Sequence, residues 1–268
     1  MTIKVLIRGG GDLASGVAAR LHRAGMEILI AELPQPLVVR RKVAFAEAVY
    51  SGSSTVEEIT AVRVESGEDI QPVFLRGEIV VMVDPGLDQL QTFYPDVLVD
   101  ARMKKSPPGT RKDTASLVVG LGPGFNAGLN CHAVIETMRG HSLGRVIWQG
   151  PPLADTGIPE VVEDHQGERV LRAPRDGKVV AHAKICNRLA EGDLIAEVDG
   201  KKIRAPFKGI LRGLVMEGLE VKAGMKVGDI DPRDEETYCV TISDKSLSVG
   251  GGVLEAILSK VELRQKLP

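Results

Sequence analysis

A chain of 268 residues, 43% apolar and 26% charged, has room for two hydrophobic cores, and its balance is that of an ordinary water-soluble protein. A formal charge of −2, with neither half of the chain carrying a net positive charge, and only 3% aromatic residues exclude the basic field and the stacking platforms that nucleic acid would need. No apolar run is long enough to cross a bilayer and the N-terminus passes straight into a β-rich run, so no membrane partner and a cytoplasmic location are expected.

The first element is a strand, Ile3 to Ile7, that runs through Arg8 into Gly9, Gly10 and Gly11. Leu13, Val17 and Leu21 follow at intervals of four, the spacing of one helix face. Gly9, Gly11 and Ala14 fit G-x-G-x-x-A, in which missing side chains let a phosphate approach the amides at a helix N-terminus. Asp12 opens that helix. A second strand, Glu27 to Ala31, ends at Glu32, a carboxylate about twenty residues beyond the glycines, where it is expected to hold ribose hydroxyls. Pro34 and Pro36 break the pattern. Arg40, Arg41 and Lys42 then open an alanine-rich, helix-favouring run to Tyr50, offering cations to a substrate anion or, on the blander reading, a solvated face.

Three apolar runs follow with a shared punctuation. Ile79–Val83 ends at Asp84, Val97–Val99 at Asp100-Ala101-Arg102, and Leu117–Val119 at a second glycine loop containing Gly120, Gly122 and Gly124. Continuous apolar strands mark a sheet buried on both faces, whose ligands bind beyond the carboxyl ends of the strands. Arg8, Arg102, Lys104 and Lys105 would supply positive charge there, although the stretch from Arg102 to Lys112 also reads as a solvated loop. Cys131, Val134, Ile135 and Met138 have helical spacing and predict a helix with His132 and Glu136 off its buried stripe. His132 and Asp100 are the candidate acid/base groups. Arg145 to Trp148 reads as a last strand.

Residues 151–169, rich in Pro, Gly and acids, read as a linker. From Ala173 the sequence repeats at an offset of 32, Ala173-Pro174 against Ala205-Pro206, Gly177 against Gly209 and Gly192 against Gly224. Two such units can intertwine into one small β-sandwich. After Asp231-Pro232, a stripe of Val253, Leu254, Ile257 and Leu258 predicts a helix that returns to the first domain, and Gly250-Gly251-Gly252 within it implies close approach of another backbone or a phosphate. The three cysteines, Cys131, Cys186 and Cys239, form no C-x-x-C, so no metal site is expected.

The repeat resembles the biotinyl/lipoyl-type barrel-sandwich hybrid. The tip of its hairpin is Asp199-Gly200-Lys201-Lys202, in which Asp-Gly suits a type I′ turn. The methionines that flank a biotinylated lysine are missing, which argues against biotin or lipoate. The whole chain resembles the YqeB family in Arg8–Gly16, Pro34-Gln35-Pro36, Val39-Arg40-Arg41, Phe45–Tyr50, Asp100–Met103, Gly122–Phe125 and Gly250–Ala256. That resemblance implies an accessory role in maturing a selenium-dependent molybdenum hydroxylase, with that client as partner. The expected fold is α/β, a Rossmann-like parallel sheet domain (1–150), the linker (151–169), a small all-β barrel-sandwich hybrid (170–232) and a C-terminal segment (233–268). The expected ligand is a nucleotide, NAD or a molybdopterin nucleotide. An NAD-dependent oxidoreductase and a biotinyl-like carrier stand as alternatives, and a homo-oligomer is left open.

Overall fold

The computed structural model describes residues 2–155, 157, 162, 163, 165 and 167–267; the rest of the expected linker lies outside them. The chain forms two units. The first comprises residues 1–36, 44–156 and 242–268, the second residues 37–43 and 157–241.

In the first unit, β1 (Lys4–Arg8), α1 (Asp12–Arg23) and β2 (Glu27–Glu32) are followed by α2 (Ala48–Ser51), β3 (Ser53–Val56), β4 (Ile59–Val64), α3 (Ile70–Leu75) and β5 (Ile79–Val83). Then come α4 (Leu90–Phe93), β6 (Val97–Asp100), β7 (Leu117–Leu121), β8 (Ala133–Ile135) and β9 (Val146–Ile147). All nine strands join one sheet in the order β3-β4-β5-β2-β1-β6-β7-β8-β9. The inner pairings are parallel, and β3 and β9 close the two edges antiparallel. Apolar runs such as Ile28–Ile30, Val97–Val99 and Leu117–Val119 are buried throughout, as a sheet covered on both faces requires.

The chain's last helices, α5 (Asp244–Leu258) and α6 (Val261–Arg264), belong to this unit. Helices α1 and α5 pack backbone to backbone: a Cβ on Gly250 would lie 2.7 Å from the Gly16 carbonyl oxygen, and one on Gly16 2.6 Å from that of Ser246. Gly250 therefore serves the packing of α5 on α1, Gly252 admits the backbone of Gly144, and a Cβ on Gly251 would meet nothing within 4 Å.

The second unit contains β10 (Val170–Arg172), β11 (Gly177–Ala181), β12 (Arg188–Leu189), β13 (Leu194–Val198), β14 (Lys201–Arg204), β15 (Gly209–Leu214), β16 (Glu220–Val221) and β17 (Lys226–Asp231). They form two four-stranded antiparallel sheets, β10-β17-β15-β12 and β14-β13-β11-β16. The 32-residue offset carries β11 onto β15, β12 onto β16 and β13 onto β17. Strand β12 pairs with β15 and β16 with β11, so each sheet takes a short strand from the other repeat. At the β13–β14 turn Asp199 and Gly200 both have positive φ, 43° and 76°, as a type I′ turn demands.

These observations correct the expected architecture. The large sheet is mixed, with antiparallel edges, in place of a Rossmann-like parallel sheet, and its connections are short of helices: among the described residues β6 reaches β7 with only a 3-10 turn at Lys112–Thr114. The second unit is two antiparallel sheets in place of the expected barrel-sandwich hybrid. The helix predicted around Cys131–Met138 is also absent, and Ala133–Ile135 form strand β8, buried against β7. A short apolar run satisfies helical spacing and a buried strand alike.

Candidate functional site

The strand order reverses at β1: β2 lies on one side and β6 on the other, and the chain leaves all three at their carboxyl ends. Such a reversal opens a crevice beyond the strand ends. Residues at alternate positions share a sheet face, so Arg8 lies on the face of Leu6 and Asp100 on that of Leu98, and the two residues are paired in register.

Asp100 is fully buried. Arg102 forks onto it, Nε to Oδ1 at 2.9 Å and Nη2 to Oδ2 at 2.5 Å, and the Thr110 hydroxyl donates to the same Oδ2. Arg102 Nη2 also donates to the Pro108 carbonyl at 2.8 Å. Arg8 Nη2 donates to the Pro85 carbonyl at 2.9 Å, and its Nη1 reaches Thr110 Oγ1 at 3.4 Å. Arg8 Nε and Arg102 Nη1 make no hydrogen bond among the described residues. Burial, and then the like charge of Arg102, pull the Arg8 guanidinium below its ordinary value. Arg102 thus neutralises the buried Asp100, and Arg8, tied to the same Thr110 hydroxyl and to the Pro85 carbonyl, adds positive charge and spare N–H donors at the sheet's carboxyl edge.

The glycine turn lies beside this cluster. Gly9 adopts φ +94°, and a Cβ there would meet Arg102 Cγ at 3.4 Å, so glycine lets the arginine stem cross the turn. Gly10 is clamped from three directions. Its N–H donates to Glu32 Oε2 at 2.6 Å, its carbonyl accepts from the Ala46 N–H at 2.9 Å, and the Ser15 hydroxyl donates to the same carbonyl at 3.3 Å. Gly11 is the N-cap of α1, Ala14 is buried in its first turn, and Asp12 accepts from the Ser246 hydroxyl at 2.9 Å.

Several expected site residues have other employment. Glu32 is only 8% exposed, and its second oxygen accepts from the Leu33 N–H at 2.7 Å, so the carboxylate locks the turn where a ribose contact was expected. Burial raises its pKa against the effect of these two amides. Asp84 accepts from the Asp88 and Gln89 amides at 2.8 and 3.0 Å and so caps its own loop. In the second glycine loop, Gly122 and Gly124 face protein: a Cβ on Gly122 would meet Met103 Cα at 3.2 Å, and one on Gly124 the Lys104 carbonyl oxygen at 2.6 Å. Those glycines admit the backbone of residues 103–106, which leaves no room there for a phosphate.

The remaining cations separate. Arg40 and Arg41 belong to the second unit, where Arg40 donates to the Tyr238 and Thr241 carbonyls and Arg41 to that of Leu214. Lys105 pairs with Asp155 at 2.5 Å, and Lys104 is exposed. His132 is level with Val118, at the end of the sheet opposite Asp100. Its Nδ1 accepts from the Val118 N–H at 2.9 Å, and burial, followed by the charges of Lys112 and Lys260, lowers its pKa. Glu136 does not pair with it: the Met138 and Leu153 amides occupy the two carboxylate oxygens.

Thr110 is the site member that the sequence reading missed. Its position inside the basic stretch after Arg102 was the available signal. Among the described residues no group of three or more His, Cys, Asp or Glu side chains is placed to hold a metal, and no helix is long and apolar enough to cross a membrane.

No family model matches the chain. It is 46% identical over 254 residues to the uncharacterized protein YqeB of Escherichia coli K12, a match covering 95% of this chain and 47% of that protein. The chain therefore spans about half the length of the curated relative it matches, and the match supports the YqeB family. Among solved structures, an aspartoacylase family protein of Mesorhizobium loti aligns over 86% of this chain and 85% of its own, at 10% identity and a TM-score of 0.26. The ectoine utilization protein EutE of Ruegeria pomeroyi aligns over 85% and 86%, at 11% and 0.25. Likenesses at these scores carry no argument about the site.

Proposed function

From a chain whose kinship with YqeB is supported, we propose that the first unit binds a phosphate-bearing small molecule, a nucleotide such as NAD or a molybdopterin nucleotide, between the β1 glycine turn and the Arg8–Arg102 pair. The observation that carries this reading is the pair itself: two guanidiniums with spare donors that meet at the Thr110 hydroxyl, Arg102 on the buried Asp100 and Arg8 on the Pro85 carbonyl. Like charges this close disfavour one another's ionisation, a cost that a bound anion would offset. A guanidinium fork matches the oxygens of a phosphate, and the N-terminus of α1 adds the favourable end of a helix dipole.

For the oxidoreductase alternative, which would use Asp100 or His132 as acid/base partner, Asp100 is bonded to Arg102 and Thr110 and the His132 Nδ1 accepts from the Val118 N–H, arrangements that favour the binding reading. The carrier alternative rests on Lys201 or Lys202 in β14, both exposed, without the flanking methionines of a biotinylation site.

The finer role, as an accessory protein that helps to mature a selenium-dependent molybdenum hydroxylase, rests on the resemblance of the sequence to the YqeB family, whose matched member is uncharacterized. A crevice for an anionic nucleotide suits a protein that handles a nucleotide form of molybdopterin for a client hydroxylase. Titration calorimetry of the chain with NAD, NADP, ATP, CTP and molybdopterin cytosine dinucleotide tests the binding. At least one should bind with an affinity that falls on Arg8→Ala, and the absence of heat or thermal stabilisation with every compound would refute the reading.

A further inference from the structure

We propose that Cys186 and Cys239 of the second unit form a peroxide-sensitive dithiol, a reversible modification site at which Cys186 is oxidised first and Cys239 closes the bond. The two are 53 residues apart in sequence and converge on one residue of β15. The Cys186 N–H donates to the Leu211 carbonyl at 2.8 Å, and the Cys239 thiol points at the same carbonyl, Sγ to O 3.8 Å. The Leu211 carbonyl thus brings the Cys186 backbone and the Cys239 sulfur to one point of the second unit.

Their surroundings differ in the way the two roles require. Cys186 is partly exposed and holds φ at +80°, a backbone conformation uncommon for a non-glycine residue. Lys42 Nζ donates to its sulfur at 3.3 Å, which favours negative charge on the atom that must attack. Cys239 is buried, and burial, reinforced by the neighbouring Cys186, pushes its thiol up to about 12. Burial thus keeps the Cys239 thiol protonated. Cys131 supplies a control within the same chain: it is buried in the first unit, and burial pushes its thiol up to about 11.

The oxidant is a hydroperoxide. The Cys186 sulfur attacks one peroxide oxygen, the O–O bond breaks, and the other oxygen leaves as water or an alcohol with the proton of the Cys186 thiol. Cys239 sulfur then attacks the Cys186 sulfur, the S–O bond breaks, and the hydroxyl leaves as water with the Cys239 proton. Two thiols lose two electrons and two protons, and the peroxide is reduced. A dithiol reductant reverses the change by exchange.

The test treats the reduced chain with hydrogen peroxide, quenches with an alkylating reagent and maps the peptides by mass spectrometry. The expected result is a Cys186–Cys239 cross-linked peptide, removed by dithiothreitol, with Cys131 still alkylated. In Cys239→Ser the reaction should stop at a dimedone-trappable sulfenic acid on Cys186. Lys42→Met should slow the oxidation roughly ten-fold, and Lys42→Arg should not. Full alkylation of all three cysteines after peroxide would overturn the proposal, as would trapping on Cys131 instead of Cys186 in the serine variant. An unchanged rate in Lys42→Met would overturn the part assigned to the lysine.

Discussion

Both the turn after β1 and the loop after β7 spend three glycines at the carboxyl end of a buried strand, yet a Cβ added to Gly9 would meet nothing nearer than 3.4 Å, whereas one added to Gly124 would reach the Lys104 carbonyl at 2.6 Å. The first turn leads into the N-terminus of a twelve-residue helix; the second receives the backbone of residues 103–106. One connection, from Ala101 to Thr110, serves both. Its Arg102 crosses Gly9, its Met103 lies on Gly122, and its Lys104 and Ser106 press on Gly124. Glycine spacing reports that something comes close to the backbone. What comes close is decided by the chain that follows a neighbouring strand.

The largest expected effect falls on the arginine that joins the two regions. Arg102→Ala would strand the fully buried Asp100 with only the Thr110 hydroxyl. Breaking a buried pair in this way costs about 3–5 kcal/mol, to be read from urea denaturation, and Asp100→Asn in the same chain should restore part of it. A loss below about 1 kcal/mol would mean that the pair does not hold the loop between the two glycine regions. Next in size, Gly124→Ala should cost about 2–4 kcal/mol, because backbone and not a flexible side chain must give way. Gly9→Ala should cost about 1–2 kcal/mol from its left-handed φ alone. Equal losses at the two positions would erase the distinction between a glycine crossed by a flexible side chain and one pressed by backbone.

Arg8→Ala sharpens the comparison from the functional side. Burial and Arg102 both oppose the charge of Arg8, so removing it should change folding stability by less than about 0.5 kcal/mol. Nucleotide affinity should nevertheless fall about ten-fold or more, the loss of a charge-assisted contact. A residue that costs binding without costing stability is placed for its ligand. Unchanged affinity measured by calorimetry would remove Arg8 from the site.

The strands around this crevice were legible because each is a continuous apolar run ended by a polar or glycine residue, as in Ile79–Val83 before Asp84 and Leu117–Val119 before Gly120. The pattern could not say how the edges close, because β3 and β9 are short and partly exposed, and it misread β8 because three buried residues fit either period. Candidate site residues fared according to chemistry. Arg8, Asp100 and Arg102 do converge. Glu32 and Asp84 stand at strand ends as read, but carboxylates also satisfy loop amides, and both are used that way. Arg40 and Arg41 looked like ligand cations because sequence shows charge and not the carbonyls that await it.

Glu32 gives the smallest effect and the finest test of the clamp on the β1 turn. Two amides favour its ionised form, but burial opposes it more strongly, so its pKa is raised. Between the ordinary glutamate value, about 4.3, and the raised one, the folded state holds a proton that the unfolded state has released. Stability must therefore fall as pH rises through that window, and the contribution is fully present only below the unfolded value. Glu32→Gln cannot titrate and keeps the side-chain shape, although one of the two amides would then face its NH₂. The stability advantage of the parent chain over Glu32→Gln, measured by denaturation at a series of pH values, should shrink as pH rises from about 4 towards neutrality. An advantage that grew with pH would show that the Gly10 and Leu33 amides outweigh burial, and that the turn after β1 is held closed by an anion rather than in spite of one.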